Sequence, residues 1–249
     1  MLFQKNWLSF NLFIVFTLSS NCLVLAQDTI NKLKISPLND RCYVFTTWQK
    51  FNGQDFPANG MYVVASSGVI MIDTPWDTTQ VAPLLDSIFA RHHKKVVLCI
   101  ATHYHDDRTG GFQILDRYKI KTWSSALTNF YCDKNKTTTA SAIFLNDTIF
   151  NIDDVLLETY YPGPGHTSDN IVIWLPKQKI LYGGCLIKST DAQSLGNLTD
   201  ADIYSWSTSL NNVRKKYPKP DFIIPGHQNW HSTFSIQHTL KLLEVHNNR

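Results

Sequence analysis

The segment His103-Tyr104-His105-Asp106-Asp107 places two imidazoles and a carboxylate at alternate positions, directly after the apolar run Val96–Ala101. In an extended segment, alternate side chains share a face. His103, His105 and Asp107 are therefore expected to point together and to reach one or two cations. Imidazole and carboxylate donors together suit zinc or another borderline divalent metal. Gly110 and Gly111 follow and let the chain turn sharply into a helix. Two more histidines stand where glycine and proline restrict the backbone, in Gly163-Pro164-Gly165-His166-Thr167 and in Pro225-Gly226-His227. Cys185 follows Gly183-Gly184, and a thiolate there is a strong zinc ligand. Alone, Gly-Gly-Cys or Pro-Gly-His reads as an ordinary turn, whereas the histidine run after a buried strand points to metal binding by itself. Together they supply His103, His105, Asp107, His166, Cys185 and His227, a set that suits two adjacent metal ions with open positions for water.

These residues need a rigid frame, and the pattern supplies one. Met61–Ala65, Val69–Asp73, Val96–Ala101, Ile171–Leu175, Lys179–Tyr182 and Phe222–Ile224 are short apolar runs rich in β-branched residues, and they read as buried strands. Val81, Leu84, Leu85, Ile88 and Phe89 fit one helical face. Ile203, Trp206, Leu210, Val213 and Tyr217 fit another, and Ile236, Leu240 and Leu243 predict a C-terminal helix. Mixed strands and helices of this length predict an α/β layered fold. Four of the strands run straight into candidate site residues, at Thr74-Pro75-Trp76, Thr102-His103, Gly183-Gly184-Cys185 and Pro225-Gly226-His227. Sites at strand ends hold side chains on a rigid scaffold while the adjoining loops admit substrate.

The chain has 249 residues, a formal charge of +3 and 43% hydrophobic residues. The charge is small and scattered, which argues against a nucleic-acid partner. Lys5, the apolar stretch from Trp7 to Leu18 and the small residue at Ala26 form the pattern of a secretory signal peptide over residues 1–26. The stretch is short for a membrane span. Cys22 suggests a lipoprotein site, but Asn21 is a poor residue before such a cleavage, so cleavage after Ala26 is expected. The mature chain, 27–249, is then read as one exported domain with no membrane span. Of its cysteines, Cys99 lies in an apolar run and reads as a core thiol, whereas Cys42 and Cys132 are left either free or paired. His92, His93, His231, His238 and His246 fit no ligand pattern.

The ordered set of motifs resembles the metallo-β-lactamase superfamily and, within it, the first subclass of class B β-lactamases. It runs from Pro57-Ala58-Asn59-Gly60 and Asp73-Thr74-Pro75-Trp76, through the histidine run and Gly163–Thr167, to Gly184–Lys188 and Pro225–His227. The resemblance implies a four-layer αβ/βα sandwich with a metal cleft at its edge. It implies one Zn²⁺ on His103, His105 and His166 and a second on Asp107, Cys185 and His227. It further implies that Lys188 pairs with the substrate carboxylate, that Asn197 lies near the lactam carbonyl, that Phe51–Pro57 is a flap over the cleft, and that Asp73 supports the metal loop. Relatives of the glyoxalase II kind and the third β-lactamase subclass carry histidine where this chain has Arg108, and they lack a thiolate at the position of Cys185. The second subclass has asparagine at the position of His103. Arg108 is expected to tune the second zinc.

The activity implied is hydrolysis of the β-lactam amide of penicillins, cephalosporins and carbapenems by a zinc-bound hydroxide, with Asp107, Lys188 and Asn197 as the catalytic and substrate-binding side chains. Such an enzyme confers antibiotic resistance from the periplasm and is expected to be a monomer. The sequence holds no Ser-x-x-Lys and no Gly-x-Ser-x-Gly, so the serine routes have no visible nucleophile. The alternatives are a lactone or thioester hydrolase of the same superfamily, and a periplasmic zinc-binding protein without turnover.

Overall fold

The computed structural model describes residues 32–248. The segment read as a signal peptide, with Cys22, lies outside them. Seven strands form a first sheet in sequence order: β1 (Leu33–Pro37), β2 (Cys42–Phe51), β3 (Gln54–Val64), β4 (Val69–Ile72), β5 (Val96–Ile100), β6 (Lys121–Ser125) and β7 (Ala142–Phe144). Pairing is antiparallel up to β4 and parallel from β4 to β7. The second sheet runs β12-β11-β10-β9-β8, with β8 (Ile149–Ile152), β9 (Val155–Tyr160), β10 (Val172–Leu175), β11 (Ile180–Gly184) and β12 (Phe222–Pro225). The helices are α1 (Val81–His92), α2 (Asp106–Thr109), α3 (Phe112–Arg117), α4 (Ala126–Lys134), α5 (Ile203–Lys216) and α6 (Ser235–Asn247). None of the described helices is long and apolar enough to cross a membrane.

Strand period explains the layers. In β4, Ile70 and Ile72 face the second sheet and pack with Ile173, Leu175, Ile180 and Tyr182. Val69 and Met71 face the other way, onto Leu84 and Ile88 of α1. All four are buried, as a strand covered on both faces requires. Across the molecule, Val172, Leu181 and Ile223 of the second sheet turn outward to Trp206 and Leu210 of α5 and Leu243 of α6. The result is helix, sheet, sheet, helix, the four-layer α/β sandwich.

Several expectations change in detail. The strand expected at Met61–Ala65 is the end of a long hairpin, in which β2 and β3 pair from Cys42↔Val63 out to Phe51↔Gln54. Asn52-Gly53 closes it with positive φ at both residues (50° and 78°). That Asn-Gly pair is the sequence signal for such a turn, so the segment read as a flap is a hairpin tip. Phe89 is 49% exposed rather than buried with the rest of the α1 face, because it sits at the rim of that stripe. The strand expected to include Asp73 ends at Ile72, and Asp73 takes a left-handed φ of 61°. Cys42, Cys99 and Cys132 are buried free thiols, and the described residues contain no disulfide.

Gly60 shows how closely the hairpin packs. It pairs with Phe45, and a Cβ there would stand 2.0 Å from the Phe45 ring. Gly60→Ala is expected to destabilise the fold by about 1–3 kcal/mol through overpacking, read from urea unfolding. An unchanged midpoint would contradict this packing.

Candidate metal centre

The candidate residues converge at one end of the two sheets. His103 and His105 follow β5, His166 precedes β10, Cys185 follows β11 and His227 follows β12. Asp107 arrives differently from the expected alternation. The chain stops being extended at His105, the N-cap of α2, and Asp107 lies in the first turn of that helix. The helical turn, not a strand, swings its carboxylate into the cluster.

Three imidazoles form a nearly equilateral group. The ring centroids of His103–His105, His103–His166 and His105–His166 lie 4.9, 5.0 and 5.1 Å apart, with interplanar angles of 77°, 88° and 80°. His105 Nδ1 and His166 Nε2 are 3.2 Å apart. Two nitrogens each 2.0–2.1 Å from one tetrahedral zinc stand about 3.3 Å apart. His103 Nε2 is buried and has no hydrogen-bond partner, an arrangement that a metal ion would satisfy. Beside this group, Asp107, Cys185 and His227 bring ligand atoms within 4.8 Å of one another. Asp107 joins the two groups, with Oδ1 3.9 Å from His103 Nε2 and Oδ2 3.0 Å from His227 Nε2. The donor set fits metal ions at both places.

The neighbours prepare these groups for a cation. Burial pushes the pKa of His103 and His166 well below the ordinary value, which favours the neutral imidazole that a metal ion requires. Burial alone would raise the Asp107 carboxyl, but Arg108 and His227 overcome it and hold Asp107 well below the usual carboxylate range. On His227, burial is outweighed by Cys185 and Asp107, which push its pKa up to about 9. A metal ion would replace that proton. His227 Nδ1 donates to the Pro57 carbonyl at 2.9 Å, which leaves Nε2 aimed at Asp107 and Cys185.

Arg108, expected to tune the second donor group, contacts two of its members and much else besides. It is fully buried beside the cluster. One guanidinium nitrogen donates to Asp107 Oδ2 at 2.8 Å, Cys185 Sγ at 3.0 Å and the Gly226 carbonyl at 2.9 Å. The other donates to the Asn59 carbonyl at 2.7 Å and pairs with Asp73 Oδ2 at 3.4 Å. Asp73 also accepts from Thr102 N, Thr102 Oγ1 and the Tyr182 hydroxyl, so it anchors the residue just before His103. Burial still raises the Asp73 carboxyl to about 6. Gly226 has to be glycine, since a Cβ there would stand 2.7 Å from both Arg108 and Cys185 Sγ.

Above the cluster lies a cleft of about 550 Å³ lined by Lys188, Asn197, Phe51 and Trp76, among others. Phe51, Phe56 and Trp76 make one wall, with the Phe56 and Trp76 rings 5.2 and 5.7 Å from that of His227. On the other side Lys188 Nζ rests 5.3 Å over the Trp206 ring, and burial lowers its pKa. Asn197 is exposed, and its side-chain oxygen accepts from Thr199 N and Oγ1. Among the five remaining histidines, His92 packs on Tyr43 and Tyr62, and His238 bonds the Ala192 carbonyl.

The fold and this centre define a four-layer α/β sandwich with a cluster of metal-ligating side chains at one end of its sheets. The profile of the metallo-beta-lactamase superfamily matches residues 53–227. The chain is 42% identical over 212 residues to "Metallo-beta-lactamase type 2" of Elizabethkingia meningoseptica, covering 85% of each. It is 37% identical to metallo-beta-lactamase IND-1 of Chryseobacterium indologenes, covering 83% of this chain and 87% of that one. Among solved structures, a metallo-beta-lactamase from Pontibacter korlensis superposes with a TM-score of 0.83 at 36% identity, over 85% of this chain and 99% of that one. The chain belongs to the metallo-β-lactamase superfamily, whose members bind metal ions.

Arg108→Ala would leave two buried carboxylates, Asp73 and Asp107, without their cation. The expected loss is about 3–5 kcal/mol of stability, read from thermal unfolding of chelator-treated protein. Arg108→Lys, which keeps the charge but not the forked donors, should recover only part of it.

Proposed function

We propose that the chain is a zinc-dependent β-lactamase of the first class B subclass, with one zinc ion on His103, His105 and His166 and a second on Asp107, Cys185 and His227. The observation that carries this reading is the cluster of three imidazoles, His103, His105 and His166, adjoining the carboxylate, thiol and imidazole of Asp107, Cys185 and His227, on the floor of a cleft with Lys188 at its side. Relatives that span most of the chain are named metallo-beta-lactamases.

Zinc held there supplies Lewis acidity and a water whose pKa falls to about 7. The protein supplies the rest. Lys188 offers an ammonium to the carboxylate that β-lactams carry, a charge-assisted contact strengthened by its partial burial. The aromatic wall of Phe51, Phe56 and Trp76 accepts apolar substituents and excludes water. Asp107, kept ionised by Arg108, stays a hydrogen-bond acceptor beside the reacting centre, where it orients the nucleophile. Asn197 reaches the lactam carbonyl once its amide turns from Thr199 toward the cleft. Residues 1–26 act as a signal peptide, and residues 27–249 work in the periplasm as a single-domain monomer.

The test is hydrolysis of a chromogenic cephalosporin and of a carbapenem by residues 27–249, before chelation, after it, and with zinc restored. Activity lost to chelator and regained with zinc is the expected result. Zinc binding without β-lactam turnover would overturn the proposal in favour of lactone or thioester hydrolysis, or of a binding role. In the active enzyme, Lys188→Ala is expected to raise KM by about ten- to a hundredfold, the value of a charged hydrogen bond, with a much smaller change in kcat. An unchanged KM would remove Lys188 from carboxylate binding.

A further inference from the structure

The fold sorts a charge that reads as small and scattered along the sequence. The metal centre lies where the parallel strands finish, and in each crossover the helix runs back to where they start. The joins from α1 to β5, from α3 to β6 and from α5 to β12 therefore lie at the far end of the molecule, with the hairpin turn between β10 and β11. Asp221 N donates to the Lys179 carbonyl at 2.8 Å and ties that turn to the start of β12. The two sheets meet at this end as well. Ser66 and Ser67, between β3 and β4, donate their hydroxyls to Asp154 and Asp153, between β8 and β9. Residues 91–95, 116–121, 176–179 and 214–221 make these joins. They hold twelve of the chain's 23 Lys and Arg and only two acids, Asp116 and Asp221, so over half of the cations stand at one end.

All of these cations except Lys94 are exposed. Among the described residues the one ion pair at this end is Arg41–Asp154, so none of the twelve is ion-paired. A helix C-terminus favours cations, which accounts for Arg91, Arg117 and Arg214–Lys216. Lys177 and Lys179 follow no helix, however, and Lys121 and Lys219 stand at or beside the starts of strands. Bulky apolar side chains are set among the cations. Tyr118, between Arg117 and Lys119, is 51% exposed, and Val97, just after Lys95, is 41% exposed. Phe89 is 49% exposed and packs edge-on against His93. Apolar groups within a basic surface suit a lipid interface, where cations meet the headgroups and rings reach the acyl boundary. A duplex nucleic acid would engage the cations alone.

We propose that this end of the molecule docks on an anionic lipid membrane, with its basic segments against the headgroups, Phe89 and Tyr118 in the interface, and the metal cleft facing away from the bilayer. Docking of this kind does not depend on the reaction performed in the cleft. The five residues of β5 separate the two ends. A strand of that length spans about 17 Å, further than the roughly 8 Å over which physiological salt screens exposed charges. Charge changes at the basic end therefore leave the metal centre alone, and the cleft stays open while the protein is bound.

The experiment is co-sedimentation of residues 27–249, which include every described element, with vesicles of phosphatidylcholine alone and of phosphatidylcholine with about one-third phosphatidylglycerol. The parent is compared with a charge-reversed variant, Lys95→Glu/Lys119→Glu/Lys215→Glu/Lys219→Glu, and with an apolar variant, Phe89→Ser/Tyr118→Ser. The parent is expected to bind the anionic vesicles, to leave the zwitterionic ones unbound, and to come off in about 1 M salt, where screening falls to about 3 Å. Each basic residue near the surface contributes about fivefold, so the charge-reversed variant is expected to bind at least about a hundredfold more weakly. The apolar variant is expected to lose about tenfold. Both are expected to keep the parent's thermal midpoint, and vesicle-bound parent to release its metal to a chromophoric chelator as fast as free protein. No binding to the anionic vesicles would overturn the proposal, as would equal binding to both vesicle types or unchanged binding of the charge-reversed variant. Tighter binding of the parent to duplex DNA than to the anionic vesicles would replace the lipid by a nucleic acid. Unchanged binding of the apolar variant would remove Phe89 and Tyr118 from the contact, and slowed metal release would overturn the orientation.

Discussion

The structure depends on keeping one guanidinium buried between the two sheets. An unpaired charge there would cost many kcal/mol, so Arg108 is tolerable only because Asp73, Asp107, Tyr182 and two backbone carbonyls converge on it. Those partners come from the end of β4, from α2, from β11, from β3 and from the turn after β12. Arg108 therefore fixes the relative positions of both sheets at the end where the site lies. It also explains two local costs. Asp73 adopts a left-handed backbone to aim its carboxylate inward, and Gly226 gives up its side chain to let the guanidinium pass.

The same cation sets the electrostatics of the floor. Burial favours uncharged groups, and His103 and His166 follow that rule. Asp107 is the exception, because Arg108 contacts its Oδ2 directly. A site with neutral imidazoles and one carboxylate held ionised binds a divalent cation without first losing many protons. His227 retains a proton of its own, which a metal bound there would replace.

Much of this was legible in the chain, for identifiable reasons. His103, His105 and Asp107 are close in sequence. His166, Cys185 and His227 are flagged by the glycines that their tight backbones require. The buried strands have no polar alternation because both their faces are covered. What stayed hidden depends on residues distant in sequence. The sequence places Arg108 beside the second donor group, but its contacts with Asn59, Tyr182 and Gly226 appear only when those distant segments fold around it. Asp200, whose Oδ2 meets His105 Nε2 at 3.1 Å, lies 95 residues from it, and no local pattern marks the pair. The swing of Asp107 depends on a helix of one turn starting at Asp106, which in the sequence looks like a continuing extended run. The hairpin tip did carry a local signal, Asn52-Gly53, hidden beneath its reading as a flap.

The rim of the cleft is not independent of its floor. His227 is oriented by the carbonyl of Pro57, which belongs to the hairpin that carries Phe51 and Phe56. Asn59, two residues further along β3, donates its amide to the Pro225 and Gln228 carbonyls and so grips the turn on either side of His227. On the opposite side, His105 is oriented by Asp200 from the loop that carries Asn197. Each donor group is thus held by the segment that forms the cleft wall above it. A change in either wall would also change the orientation of the imidazole it holds, because interactions that share a side chain do not vary independently. The walls and the donors are therefore joined side chain to side chain, with Arg108 at the centre of the floor and the hairpin and the Asn197 loop on its two sides.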